Sequence, residues 1–358
     1  MDKTPFFSIV VPACDVAPFG AEMIDSLRQQ SDGDFEALIV CEESADGTLE
    51  VLRRAIGDEP RFIVTELPRS GSASAGRNYG IEHAHGQYLL FLDGDDLLKP
   101  EALEIFRHAI ATFGEIDLIA GRAEVRWELN SPARGAEQLA HPIECGKVFP
   151  APLALARMME RRFMPAVWYQ IYRRELIKND ATLRQPIGRR HQDEQWTPRV
   201  FLAAKTFAAI PEVFYVYRKR ANSVTTKSNP KSIRDITDNL LDFFKYWHAR
   251  PIPPEARAAV ADWYIDLFFR YFSRNSARQF SYELRRQEFR RLVGAPENFR
   301  TYREMARLSR FSRRILIPLI GLARRPGGFV VSEKLFQWFY WPLVHTIWGA
   351  LKTRLRHG

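Results

Sequence analysis

Gln87-Tyr-Leu-Leu-Phe-Leu92 runs without a break into Asp93-Gly-Asp-Asp96. An unbroken apolar and aromatic run of this length reads as a buried strand, and its sudden end in three carboxylates reads as a turn. Working outward, Phe7-Ser-Ile-Val-Val-Pro12 is a β-branched strand ended by proline, Phe19 to Gln30 is helical and Phe35 to Cys41 is a second strand. Asp46-Gly-Thr48 opens another helix with capping chemistry, Arg61 to Thr65 is strand-like and Ala73 to His85 is helical. This βαβαβαβ alternation predicts an α/β fold: an open, mainly parallel, Rossmann-like sheet with helices on both faces. Ligands of such sheets bind beyond the carboxyl ends of the strands. Asp15, Glu42-Glu43-Ser44 and Asp93-Gly-Asp-Asp96 all fall at such ends. Three crowded carboxylates are costly without a counter-ion, and hard oxygen ligands suit Mg²⁺ or Mn²⁺. A solvated turn is the plain alternative, because Asp and Gly favour turns for local reasons.

The bulk properties narrow the class. In a chain of 358 residues, 46% are hydrophobic and 27% charged, as in ordinary globular proteins. The three cysteines, Cys14, Cys41 and Cys145, include no CxxC pair, which argues against a disulfide framework or zinc site. The first residues lack the layout of a signal peptide, so the expected location is cytoplasmic. The net charge of +9 is unevenly spread: residues 229–358 hold 24 Lys and Arg against 11 Asp and Glu, leaving the preceding part acidic. A basic pI suggests nucleic acid, but no nucleic-acid-binding motif is present and the only obvious cleft is acidic, so none is expected as a partner.

Ser8-Ile-Val-Val-Pro12, Ala75-Gly-Arg-Asn-Tyr-Gly80 and Gly86-Gln-Tyr-Leu-Leu-Phe-Leu-Asp-Gly-Asp-Asp96, in that order and spacing, resemble the GT-A domain of glycosyltransferase family 2 over residues 6 to 226. The resemblance implies an inverting transferase that uses a nucleotide sugar and a divalent metal, Mn²⁺ or Mg²⁺. It makes Asp93 and Asp95 the metal-binding aspartates, with Asp95 the direct ligand. It assigns Pro12, Asp15, Glu42, Ser44, Arg77, Gly94 and Asp96 to the donor. A guanidinium such as Arg77 suits bidentate contact with phosphate, and Gly94 leaves room for a diphosphate to approach.

An inverting transfer also needs a base on the face opposite the departing diphosphate. His191-Gln-Asp-Glu-Gln-Trp196 resembles the family's acidic motif at a helix start, with Asp193 as the base and Trp196 as the aromatic three residues on. Glu194 and His191 are alternatives, and Gln192 departs from the family's usual glutamate. Trp168 falls in a stretch that resembles the family's acceptor-side segment, and Arg218 in one that resembles the segment closing the domain, from which it could reach the acceptor or diphosphate; a core tryptophan and a solvated strand end are the other readings. Cys14-Asp15 and Cys41-Glu-Glu-Ser44 depart from the family pattern at the nucleobase, where a uridine nucleotide is still expected.

Two domains are expected: residues 1–228 for the catalytic part and 229–358 for a basic, aromatic-rich helical region. In the latter, Ile315 to Ala323 and Leu335 to Leu351 are apolar but interrupted, short of the roughly 20 residues a membrane span needs. Basic flanks around aromatics suit a helix lying on an anionic membrane surface; a helical appendage packed on protein is the alternative. The expected activity is transfer of a sugar to a glycan or lipid-linked glycan in bacterial surface polysaccharide synthesis, with a catalytically silent glycan-binding relative as the rival.

Overall fold

The computed structural model describes residues 4–127, 137–163, 166–219, 230–272 and 280–308. The chain divides into two compact units, Met1–Lys227 and Ser228–Gly358.

The first unit is built on a ten-stranded mixed sheet with helices on both faces. Strands β1 (Phe7–Ala13), β2 (Phe35–Glu42), β3 (Phe62–Leu67) and β4 (Tyr88–Phe91) lie in the order β3-β2-β1-β4, all parallel. The residues of β2 and β4 are buried throughout, as expected of strands covered on both faces. Helices α1 (Ala17–Arg28), α2 (Thr48–Ile56) and α3 (Ser74–His83) make the crossovers. Helix α3 sits so close to β1 that a Cβ on Gly80 would lie 2.2 Å from a Val10 methyl. Only a glycine permits that approach, and it brings the first turn of α3 to the end of the strands.

Beyond β4 the parallel pattern stops. After the short β5 (Leu97–Leu98) and α4 (Ala102–Phe113) come β6 (Leu118–Trp127), β7 (Glu137–Leu139), β8 (Val148–Pro150), α5 (Ala151–Glu160), β9 (Gln170–Arg173), α6 (Arg174–Lys178), α7 (Asp193–Ala203) and β10 (Thr206–Lys219). Strand β9 inserts between β4 and β6 and is antiparallel to both. The sheet is therefore mixed rather than mainly parallel. Phe207–Ile210 and Val213–Arg218, which read locally as two short strands either side of Pro211, form one strand, β10, which passes the proline through two register shifts against β6. Proline cannot donate to the ladder, so a bulge is the way a strand carries it.

The second unit, among its described residues, holds helices α8 (Pro230–Ala249), α9 (Pro254–Phe272), α10 (Tyr282–Val293) and α11 (Pro296–Leu308) and no strand. Its aromatics form a core: Phe243 stacks on Tyr264 with ring centroids 3.6 Å apart, and Phe244 meets Tyr302 edge-on. No helix among the described residues is long and apolar enough to cross a membrane. The apolar stretches Ile315 to Ala323 and Leu335 to Leu351 lie outside the described residues.

Candidate active site

The acidic turn leaves β4 at the centre of the sheet. Asp93 lies against α3, where its Oδ1 meets Arg77 Nη2 at 2.5 Å. That guanidinium is buried, and its Nη1 reaches Gln185 Oε1 at 3.5 Å. Asp96 turns inward and is 1% exposed. The Tyr215 hydroxyl donates to its Oδ2 (2.7 Å) and the Arg218 backbone N–H to its Oδ1 (2.7 Å). Burial, with the charges of Asp95 and Asp93 adding to it, pushes the Asp96 carboxyl well above the usual range; its two hydrogen bonds counter this only in part. Asp95, partly exposed between them, completes a concentration of negative charge.

On the other side of β1 the loops after the first three strands are tied together. Asp15, with φ of +52°, receives a hydrogen bond from Ala45 N–H and forms an ion pair with Arg69 at 2.5 Å. The Arg69 hydrogen bond holds the Asp15 carboxyl below its usual range. The Ser44 hydroxyl accepts from Asp15 N–H and donates to the Glu42 carbonyl. Glu42 is buried, and its carboxylate accepts from the Ser70 N–H (2.8 Å) and hydroxyl (2.6 Å). Pro12 closes the end of β1 against α3, within 3.1 Å of a Cβ built on Gly76.

Helix α7 is delivered to this place by anchors that run back to α3. The Gln185 backbone N–H donates to Asn78 Oδ1, Asn78 Nδ2 donates to the Gln185 carbonyl, and Gly188 N–H donates to the Ser72 hydroxyl. The chain then passes through His191, a second non-glycine residue with positive φ (+54°), and α7 begins at Asp193. Left-handed conformations at such residues are costly and concentrate where a site dictates geometry. Asp193 Oδ1 accepts its neighbour Glu194 N–H.

The family model Glycosyl transferase family 2 matches residues 8–181. The chain carries a family 2 glycosyltransferase domain. It is 29% identical to the uncharacterized glycosyltransferase EpsJ of Bacillus subtilis over 224 residues, 62% of this chain and 63% of that one. The chain thus spans a little under two thirds of that relative's length. In fold it is similar to S. aureus TarS 1-349 in complex with UDP-GlcNAc, at a TM-score of 0.72 and 18% identity over 93% of this chain and 91% of that one. It is also similar to the mannosyltransferase PcManGT of Pyrobaculum calidifontis, in complex with GDP-Man and Mn²⁺, at a TM-score of 0.51 and 15% identity over 94% of this chain and 88% of that one.

Four of the expected site residues are engaged within the protein itself. Both oxygens of Asp96 are engaged inside the protein, so it supports the turn instead of presenting a carboxylate to the donor. Gly94 is buried; a Cβ there would lie 3.1 Å from the Pro12 carbonyl, so its small size serves packing against β1. Arg218 is 5% exposed and commits its guanidinium to α1, pairing with Glu22 (2.9 Å) and lying 4.9 Å from the Phe19 ring. Trp196 is fully buried, packs edge-on against Phe91, and donates its indole N–H to the Leu183 carbonyl. Trp196→Ala is therefore expected to lower unfolding free energy by about 3–5 kcal/mol, read by urea denaturation. An acceptor-binding role predicts instead an unchanged midpoint and a raised acceptor KM.

Trp168 is also largely buried, yet it stacks between Tyr215 and Tyr217, with centroids 4.4 Å and 5.4 Å away. The sequence reading missed Arg69, Ser70, Gln185 and Tyr215, which hold the named residues in place. Each acts across a long sequence separation, and a lone Ser, Gln or Tyr carries no local signal of such a partner.

Asp93 and Asp95 are carboxylate donors of the kind a hard divalent cation takes. Among the described residues no group of three His, Cys, Asp or Glu is arranged to hold a metal. A cation at this turn would rest on Asp95 and Asp93 and complete its shell with water and phosphate, which is the habit of Mg²⁺ and Mn²⁺.

Proposed function

We propose that this chain is an inverting transferase that moves a sugar from a nucleotide sugar to a hydroxyl of a glycan or lipid-linked glycan in bacterial surface polysaccharide synthesis. The observation that carries the reading is the Arg77–Asp93 pair at the end of β4, together with the segment leading into α7 and Asp193, which is tied back through Gln185 to Asn78 of α3 and through Gly188 to Ser72 just before it. A phosphate-binding cation and a general base on opposite sides of one reacting carbon need such a convergence.

In this reading Pro12, Asp15, Glu42 and Ser44 wall the nucleoside, and Arg77 lies near the donor phosphates. Asp95, with Asp93, holds Mn²⁺ or Mg²⁺, which when bound neutralises the departing diphosphate. Asp193 takes the proton of the acceptor hydroxyl as its oxygen bonds to the anomeric carbon. The carbon–oxygen bond to the diphosphate breaks on the far face, its electron pair leaving with the diphosphate. Attack from the opposite face inverts the anomeric centre. Uridine is the first nucleoside to test, on the family's habit and the UDP-GlcNAc bound to TarS. The basic excess of residues 229–358 supports work at the cytoplasmic face of an anionic membrane, where a lipid-linked acceptor resides.

Incubation of the full chain with Mn²⁺ and a panel of nucleotide sugars tests the reading. Release of a nucleoside diphosphate from one donor, with the opposite anomeric configuration in the product by NMR, is expected. No release from any donor, with or without glycan acceptors, rejects it.

A further inference from the structure

Tyr215 stands where the acidic turn meets the aromatic wall. It is fully buried in β10, far in sequence from the turn it touches. Its hydroxyl does two things at once: it accepts the backbone N–H of Asp93 (3.2 Å) and donates to Asp96 Oδ2 (2.7 Å). One oxygen thus grips the first and last residues of Asp93-Gly-Asp-Asp96. A third bond closes the same turn, from Asp96 N–H to the Asp93 carbonyl (2.9 Å). The ring of Tyr215 lies nearly parallel to Trp168, 14° between planes, and Trp168 stacks in turn on Tyr217.

We propose that Tyr215 is a positioning residue that fixes the Asp93–Asp96 turn in its ligand-binding shape and ties that shape to the Trp168–Tyr217 wall. This rests on the transferase reading above. Asp95, with Gly94, lies between the two gripped ends, so its carboxylate can be aimed only as well as those ends are held. Pleated neighbours along β10 carry the rest of the device: Tyr217 lies two residues on, on the same face of the strand, and Arg218 N–H holds the other oxygen of Asp96. Loss of the hydroxyl frees one end of the turn and leaves Asp96 with one partner fewer. Loss of the Trp168 ring leaves the grip intact but removes the surface that holds the Tyr215 ring in place.

The test is binding of Mn²⁺ with UDP, measured by calorimetry on the full chain, its Tyr215→Phe variant and its Trp168→Leu variant, alongside their melting curves. Tyr215→Phe keeps the ring and its stack and loses only the hydroxyl. It is expected to weaken Mn²⁺-dependent UDP binding at least about fivefold while the folded fraction melts cooperatively. A positioning role also predicts that Trp168→Leu weakens it, because the Trp168 ring stacks on Tyr215 and acts on the turn through it. A merely structural role lowers the melting temperature of both variants and leaves the affinity of the folded protein within twofold of the native chain; that result overturns the proposal. Should Tyr215→Phe fail to fold, Trp168→Leu decides alone by the same affinity criterion. If the native chain itself binds UDP no better with Mn²⁺ than without, the transferase reading fails first and this inference falls with it. Native binding with unaltered variants removes the inference only.

Discussion

Asp95→Asn is expected to lower kcat for sugar transfer by about 10²–10³-fold while leaving the fold intact. The substitution keeps the size of the side chain and removes one negative charge from a turn where Asp93, Asp95 and Asp96 crowd together. Removing a charge from that cluster relieves repulsion in the free protein, so the melting temperature should hold or rise. In the reaction the balance reverses, because charge develops on the departing diphosphate and must be met by a pre-organised cation. Loss of a group that acts there falls on kcat rather than on donor binding alone. The measurement is steady-state kinetics over a range of Mn²⁺ concentrations, together with a melting curve. Unchanged kcat at saturating Mn²⁺ removes Asp95 from the account.

Asp193→Asn carries the other large effect, a fall in kcat of about 10²–10⁴-fold, the usual contribution of a general base. Asparagine preserves the contact with Glu194 N–H, because its side-chain oxygen accepts as the carboxylate does. The start of α7 and its anchors through Gln185 and Gly188 stay in place, so donor KM and Mn²⁺-dependent nucleotide binding should be little altered. Glu194→Gln is the matched control one residue along and is expected to stay within a few-fold of the native rate. If the two variants exchange their effects, the base is Glu194. Separate measurement of nucleotide binding and transfer distinguishes a lost base from a lost site.

The two halves of the sheet differed in how far they could be read from sequence. Strands β1, β2 and β4 announce themselves as mostly apolar runs between turn residues, as parallel strands buried on both faces need, and β3 at the sheet's edge shows the shorter run Phe62-Ile-Val64. Strand β9 offers only Ile171 and Tyr172 between Gln170 and Arg173, and its strand character comes from neighbours on either side, β4 and β6, that are distant in sequence. Pro211 likewise divides β10 locally, while pairing with β6 carries the strand across it.

The site divides in the same way. Arg77, Asp93, Asp95 and Asp193 belong to compact motifs and could be named from them. What the neighbouring residues do depended on partners up to 196 positions away: Tyr215 and the Arg218 amide for Asp96, Glu22 for the Arg218 side chain, Leu183 for Trp196. Burial turns a carboxylate, a guanidinium or an indole from a ligand contact into a structural one, and no short motif records which will be buried.

The most direct measurement of the central claim is anomalous diffraction at the manganese edge from crystals of the native chain grown with Mn²⁺ and UDP. The account predicts a manganese peak in direct contact with the Asp95 carboxylate and with the nucleotide's phosphate oxygens. Bound UDP with manganese absent from the Asp93–Asp96 turn, or a manganese peak only at a site remote from it, contradicts the account.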